Sequence, residues 1–368
     1  MKLLEIILGL SLAFISQTGS RFDLSIGVGE LGLFFGITFG LLKNFNRKIF
    51  VVGAPSQRYS IFFLIFVLVS LLPITILNTL AEVPGASLRD WVAYLFVALF
   101  LVMLAKSRLD LELIIKVFLF IFLVLIASQL MFSGYETSRY NGGSHNPNQL
   151  ALYVLCGIAL CSSVALHGRI KFIISCALLG FGILSGSDAF GAASAVFCFS
   201  FFAIYAFPLK RLIPWGLIFL VFALLLLIFW LPFVTEELVK EWNAADEGGS
   251  RIGLYEHGLA AWLSSPVSFL IGNGAGSFSG LDNEFGRVES HNTPIDALAL
   301  GGCLGLIVFY WFPIKTVISS YKCNLRFNFS ILLSLLAFSL FHYVGRQPVF
   351  WFTMYVLIFD IEKKFKQL

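Results

Sequence analysis

The stretch Glu289-Ser290-His291-Asn292-Thr293-Pro294 sets a histidine directly before an apolar run, Ile295 to Phe312. Pro294 suits the first position of a helix and Thr293 can cap it, with Asp296 completing a Thr-x-x-Asp capping pattern. His291 is therefore expected just outside the amino end of a membrane helix. The helix dipole there disfavours an added positive charge, which favours a neutral imidazole able to accept a proton. Two roles fit that position: a general base at a membrane surface, or a hydrogen-bonded histidine that only completes the cap.

Two arginines have surroundings that suit an anion. Arg139 lies in Thr137-Ser138-Arg139-Tyr140-Asn141-Gly142-Gly143. Glycine lets a ligand approach the backbone closely and a guanidinium grips phosphate through two nitrogens, although an interfacial anchor is a plainer role for this residue. Arg251 follows Ser250 at the start of a helix in which Ile252, Tyr255, Leu259 and Trp262 recur at helical spacing. A cation at a helix amino end opposes the dipole, and a bound anion would offset that conflict. Arg251 is thus a phosphate-binding candidate, while His257 reads as an exposed or packing residue. The apolar stripe of this helix is expected to lie along the membrane interface or against the bundle.

After Pro266 comes a glycine-rich turn, Leu270-Ile271-Gly272-Asn273-Gly274-Ala275-Gly276. It lacks a P-loop lysine and a framing strand and helix, so Gly272 and Gly274 either cradle phosphate or fold the segment back over the bundle. Ser144-His145-Asn146-Pro147 opens an apolar run from Asn148 much as Ser290 to Pro294 opens the run from Ile295. Two such helix ends facing one cavity would present N–H groups to an anion.

The elements that must position these residues are membrane helices. The 368 residues are 58% hydrophobic and only 12% charged, too little charge for the surface of a soluble domain. A span needs roughly 20 mainly apolar residues. About twelve spans follow by that measure: Leu3 to Ser16, Ser25 to Leu42, Ile61 to Leu80, Trp91 to Ala105, Leu113 to Phe132, Asn148 to Leu166, Ile170 to Ser187, Ala189 to Phe207, Ile213 to Phe233, Ile295 to Phe312, Phe327 to Tyr343 and Pro348 to Ile361. The start, Met1-Lys2 followed by Leu3 to Ile15, imitates a signal peptide but reads better as an uncleaved first helix. The expected architecture is a single all-α transmembrane domain, 1–368, with one large loop insert, 234–293, carrying short amphipathic helices.

All of the 25 basic residues except Arg21, Arg89, Arg139, Lys240, Arg251, Arg287 and Arg346 fall on one side of these spans. The positive-inside rule then places both termini in the cytoplasm and the loop, with His291, on the opposite face. No basic run resembles a nucleic-acid patch. The cysteines, Cys156, Cys161, Cys176, Cys198, Cys303 and Cys323, avoid the outer loops and suggest neither a disulfide framework nor a zinc site. There is no HExxH, no Walker sequence and no paired-aspartate motif of a sugar-nucleotide enzyme. No metal or cofactor is expected, and phosphate chemistry would fall to arginines and helix ends.

Taken together these residues resemble the bacterial O-antigen ligase and O-antigen polymerase superfamily. The resemblance lies in Arg139 with Asn146-Pro147-Asn148, in Arg251 with Tyr255 and Leu259-Ala260-Ala261-Trp262, and in Ile271-Gly272-Asn273-Gly274. It is carried above all by His291-Asn292 followed by Leu298 and Gly301-Gly302-Cys303-Leu304-Gly305-Leu306. It runs from the sixth expected span to the tenth. It implies a metal-independent glycosyltransferase of the bacterial inner membrane with a periplasmic active site. The donor glycan would be carried on undecaprenyl diphosphate and the acceptor would be a saccharide, on lipid A core or on another lipid-linked repeat. By analogy His291 would deprotonate the acceptor hydroxyl, Arg139 and Arg251 would hold the diphosphate, and Asn148, Asn292, Gly272 and Gly274 would support them. Members of the family often carry an arginine after a Ser-x-Ser turn, where this chain has Ser185-Gly186-Ser187-Asp188; Arg346 is the expected substitute. One base and one leaving group suffice for a single displacement that inverts the anomeric carbon.

The alternative from another class is a transporter or flippase of an anionic or lipid-linked substrate, using the same outer arginines. Against it, the span middles are nearly free of charge and the polar cluster lies on one face only.

Overall fold

The computed structural model describes residues 2–17, 27–44, 55–132, 140–144, 146–206, 251–280, 282–283, 286–287 and 289–365. The expected ninth span, Ile213 to Phe233, lies outside the described residues, as do Arg139, His145 and the loop segment 234–250.

Apolar runs become helices because only a helix satisfies its own backbone away from water. In chain order these are α1 (Lys2–Phe14), α2 (Val28–Lys43), α3 (Pro55–Ile65), α4 (Leu72–Leu80), α5 (Leu88–Lys106), α6 (Leu111–Phe132), α7 (Pro147–Ser163), α8 (Gly168–Leu184), α9 (Asp188–Ala206), α10 (Arg251–Leu263), α11 (Pro266–Ile271), α12 (Thr293–Lys322), α13 (Arg326–Ser339) and α14 (Pro348–Phe365). A π-helical turn, Phe66–Leu71, joins α3 to α4. Among the described residues the strands are a two-residue antiparallel pair, β1 (Asp282–Asn283) with β2 (Gly286–Arg287).

The described residues are almost wholly helical, and their apolar helices have the character of a membrane protein. Among the described residues, four helices are long and apolar enough to cross a bilayer: Ser56–Leu80, Leu88–Lys106, Leu111–Met131 and Thr293–Lys322. Pro147–Ser163, Asp188–Phe202 and Arg326–Ser339 are apolar but shorter. Among the described residues, length and composition thus single out four of the expected spans.

Local chemistry sets the helix starts. The Ser87 hydroxyl accepts from the Asp90 amide (3.2 Å) to cap α5, and Asn146 accepts from Gln149 (2.8 Å) to cap α7, with Pro147 at the first position. The core is aromatic where α3, α12 and α14 meet. Tyr59 stacks on Phe312 at 3.9 Å, and Phe63 and Phe309 close around Trp351. α10 and α11 pack against α12, and α13 packs against both α12 and α9.

Two of the long helices are irregular. Pro73 has no amide to donate, and the preceding turn opens into the π form, where the Val67 carbonyl accepts from the Trp91 indole (3.0 Å). α12 breaks at Gly302, whose φ of 60° and ψ of −156° are open to glycine and strained for other residues.

Candidate functional site

The site is built on the amino end of α12. Its cap is Asn292, one residue before the expected Thr293: the Asn292 side chain accepts from the Ile295 amide at 3.1 Å. Thr293 cannot serve because its hydroxyl is spent elsewhere. It donates to the His342 carbonyl (2.7 Å) and accepts from the Val344 amide (3.0 Å). Asp296 reaches back instead to accept from the Ser290 amide (3.0 Å), so the Thr-x-x-Asp box is not formed.

His291 sits just outside this cap, half-buried, with a φ of 56°. A left-handed non-glycine residue costs roughly 1–2 kcal/mol and marks a backbone held by its surroundings. Those surroundings are visible. Ser290 and Asn292 bond to each other on either side of it, and the Asn292 amide nitrogen of the side chain donates to the Leu340 carbonyl (2.8 Å). With Thr293, these bonds stitch the turn between α13 and α14 onto the mouth of α12. The stitching brings in a residue absent from the expected set, His342. Its ring is buried, lies nearly parallel to His291 at 5.9 Å and 11°, and meets Phe338 edge-on. A histidine at the end of the expected eleventh span, next to Tyr343, was the sequence signal that could have flagged it.

Arg346 occupies the same turn. One guanidinium nitrogen pairs with Asp90 in the first turn of α5 and the other with Glu289, two residues before His291. All three side chains are about three-quarters shielded, and the guanidinium carbon lies 5.8 Å from the Tyr343 ring centroid. The Tyr343 hydroxyl is bonded to that of Tyr94. Arg346 is therefore tied to Glu289, two residues before His291, and is already held by two carboxylates. An anion would have to displace one of them.

Arg251 is the first residue of α10. That helix runs alongside the first half of α12. Gly258 abuts Ile295 and Ser290, where a Cβ would lie 2.7 Å from the Ile295 side chain. Further in, the Asn273 side chain joins the Ala261 carbonyl to that of Ala299. Arg251 lies two turns from Gly258, about 10 Å along the axis on the side away from Ala261. The elements carrying Arg251 and His291 are thus direct neighbours.

The glycine turn has a different use from a phosphate cradle. The Gly272 amide donates to Ser268 and the Gly274 amide to Leu300, both at 2.9 Å. Asn273 donates to the Ala299 carbonyl from both its backbone and its side chain, and Ala275 donates to the Thr75 hydroxyl. The turn fills the break in α12: a Cβ on Gly272 would lie 2.2 Å from the Leu300 oxygen, and one on Gly302 would lie 2.4 Å from the Leu270 carbonyl carbon. Gly272 and Gly274 thus allow two backbones to meet where the helix has given up its own bonds.

Asn148 belongs to a second polar group. It accepts from the Ser187 hydroxyl (2.7 Å) at the turn between α8 and α9, beside the Asp188 that begins α9. Among the described residues, no group of three or more His, Cys, Asp and Glu side chains is arranged to hold a metal ion. No protein-family model matches the chain, and no curated protein matches it.

Proposed function

We propose that the chain is a glycosyltransferase of the O-antigen ligase or polymerase type, moving glycan from undecaprenyl diphosphate to a saccharide acceptor at the periplasmic face of a bacterial inner membrane. On this reading it crosses the membrane about twelve times, with both termini in the cytoplasm.

The observation that carries the reading is the packing of α10 against the mouth of α12 through Gly258, Ser290 and Ile295. It makes the helix that begins with Arg251 the neighbour of the residue best placed to accept a proton. His291 would take the proton of the acceptor hydroxyl while that oxygen forms a bond to the anomeric carbon. The bond from that carbon to the diphosphate breaks, and the electron pair leaves with undecaprenyl diphosphate. Arg251 and Arg139 would neutralise the charge growing on the leaving group. The acceptor is lipid A core in a ligase and another lipid-linked repeat in a polymerase.

In a transporter of anionic or lipid-linked substrates, a break such as that at Gly302 would be the natural binding point. The Ala299 and Leu300 carbonyls exposed by this break are already taken by Asn273 and Gly274, which favours the enzyme.

The test is purified protein in liposomes with a synthetic undecaprenyl-diphosphate glycan and acceptor, scored for release of undecaprenyl diphosphate. The reading requires release that depends on acceptor and is lost in His291→Ala. Release unaffected by that change removes the catalytic assignment, and acceptor-independent movement of the intact donor across the bilayer favours the transporter. Deleting the gene separates the two acceptors. Loss of a ligase leaves lipid-linked chains that never reach the core, and loss of a polymerase leaves cores with a single repeat.

A further inference from the structure

We infer that α10 and α11 form a re-entrant hairpin inserted into the leaflet on the His291 side, and that its outward face is a contact surface for the acyl chains of bilayer lipids. Four observations converge on this.

The first is depth. The carboxyl end of α11, Leu270 and Ile271, docks at Gly302, nine residues into α12, or about 13 Å along the axis from Thr293. The apolar run begins at Ile295, so Gly302 lies seven residues, about 10 Å, past its start. The following turn gives a second gauge: Ala275 is bonded to Thr75, five residues or about 8 Å inward from the end of α4 at Leu80.

The second is charge. From Gly258 to Leu281 the chain carries no Asp, Glu, Lys or Arg, although Glu256 and Asp282 flank the stretch.

The third is which side faces out. Leu263, Val267, Phe269 and Leu270 are 60%, 60%, 40% and 58% exposed, while Ser268 between them is 2% exposed. A water-exposed hairpin would place these residues the other way round.

The fourth is how completely the polar groups at the tip are used. The Ser264 hydroxyl donates to the Ala261 carbonyl, Ser265 and Ser268 form a reciprocal capping box, and the Trp262 indole donates to the Phe269 carbonyl at 2.9 Å. Groups in water need no such partners, whereas groups in hydrocarbon do.

The test uses the full chain in liposomes, in a background with Cys176, Cys198, Cys303 and Cys323 replaced by alanine, and that background serves as the blank. Nitroxide labels are placed through Leu263→Cys, Val267→Cys and Leu270→Cys, with Glu256→Cys as the water-facing reference. Power-saturation measurements compare collisions with oxygen and with a water-soluble nickel chelate. The inference requires labels at 267 and 270 to meet oxygen several-fold more often than nickel, with the opposite ratio at 256. Nickel-dominated collisions at 267 and 270 overturn it, because the face would then be wet. Exclusion of both reagents also overturns it, and spin–spin broadening in that case identifies a second copy of the chain as the cover.

Discussion

The imidazoles of His291 and His342 lie nearly parallel, 5.9 Å apart, although one precedes α12 and the other follows α13. Their alignment is produced by Thr293, whose hydroxyl holds both the His342 carbonyl and the Val344 amide. Chemistry and placement at this site are therefore separable by mutation.

His291→Ala should lower transfer by about 10² to 10⁴, the usual contribution of a positioned base. The protein should still insert and elute as a single species, because the cap belongs to Asn292. Initial rates of undecaprenyl diphosphate release, alongside size-exclusion profiles, check both halves.

Thr293→Val keeps the shape and removes the hydroxyl, leaving the buried Val344 amide without that acceptor. A cost of about 1–3 kcal/mol is expected. Thermal unfolding in detergent should show it, together with a loss of transfer smaller than that of His291→Ala.

Arg251→Ala should act on donor use. Loss of a charge-assisted contact of about 1.5–3 kcal/mol corresponds to roughly a 10- to 100-fold rise in donor KM. Arg251→Lys should rescue poorly, since a point charge cannot replace a planar fork. Equal donor KM in all three proteins would remove Arg251 from the site.

Arg346→Ala should lower stability more than donor affinity. It leaves Asp90 and Glu289 facing each other in a partly buried place, at a cost of about 1–3 kcal/mol, between the exposed and buried limits. Arg346→Lys should recover only part, because each carboxylate has its own guanidinium nitrogen. Melting temperature and donor KM measured on the same preparations separate the two effects.

Gly302→Ala should cost more than the roughly 1–3 kcal/mol of a non-glycine residue in this backbone conformation, since the added Cβ also meets the Leu270 backbone. The expected result is a low yield of monodisperse protein. Gly180→Ala in α8, with nothing within 4 Å of the added carbon, should leave the yield unchanged.

The sequence by itself determined the membrane character and the approximate helix starts. Asn146-Pro147 and the run after Pro294 are local signals, and apolar length and capping act over a few neighbouring residues. Even there the cap at α12 moved by one residue, because the Thr293 hydroxyl was claimed by a distant turn. Only the tertiary structure decided which partners the polar groups took. Arg346 and Asp90 lie 256 residues apart, and nothing in either local pattern shows that their helices meet. The same holds for the glycine turn, whose composition fits a phosphate cradle and a backbone contact equally well. The break at Gly302 leaves the Ala299 and Leu300 carbonyls without partners in their own helix, and the glycine turn supplies them.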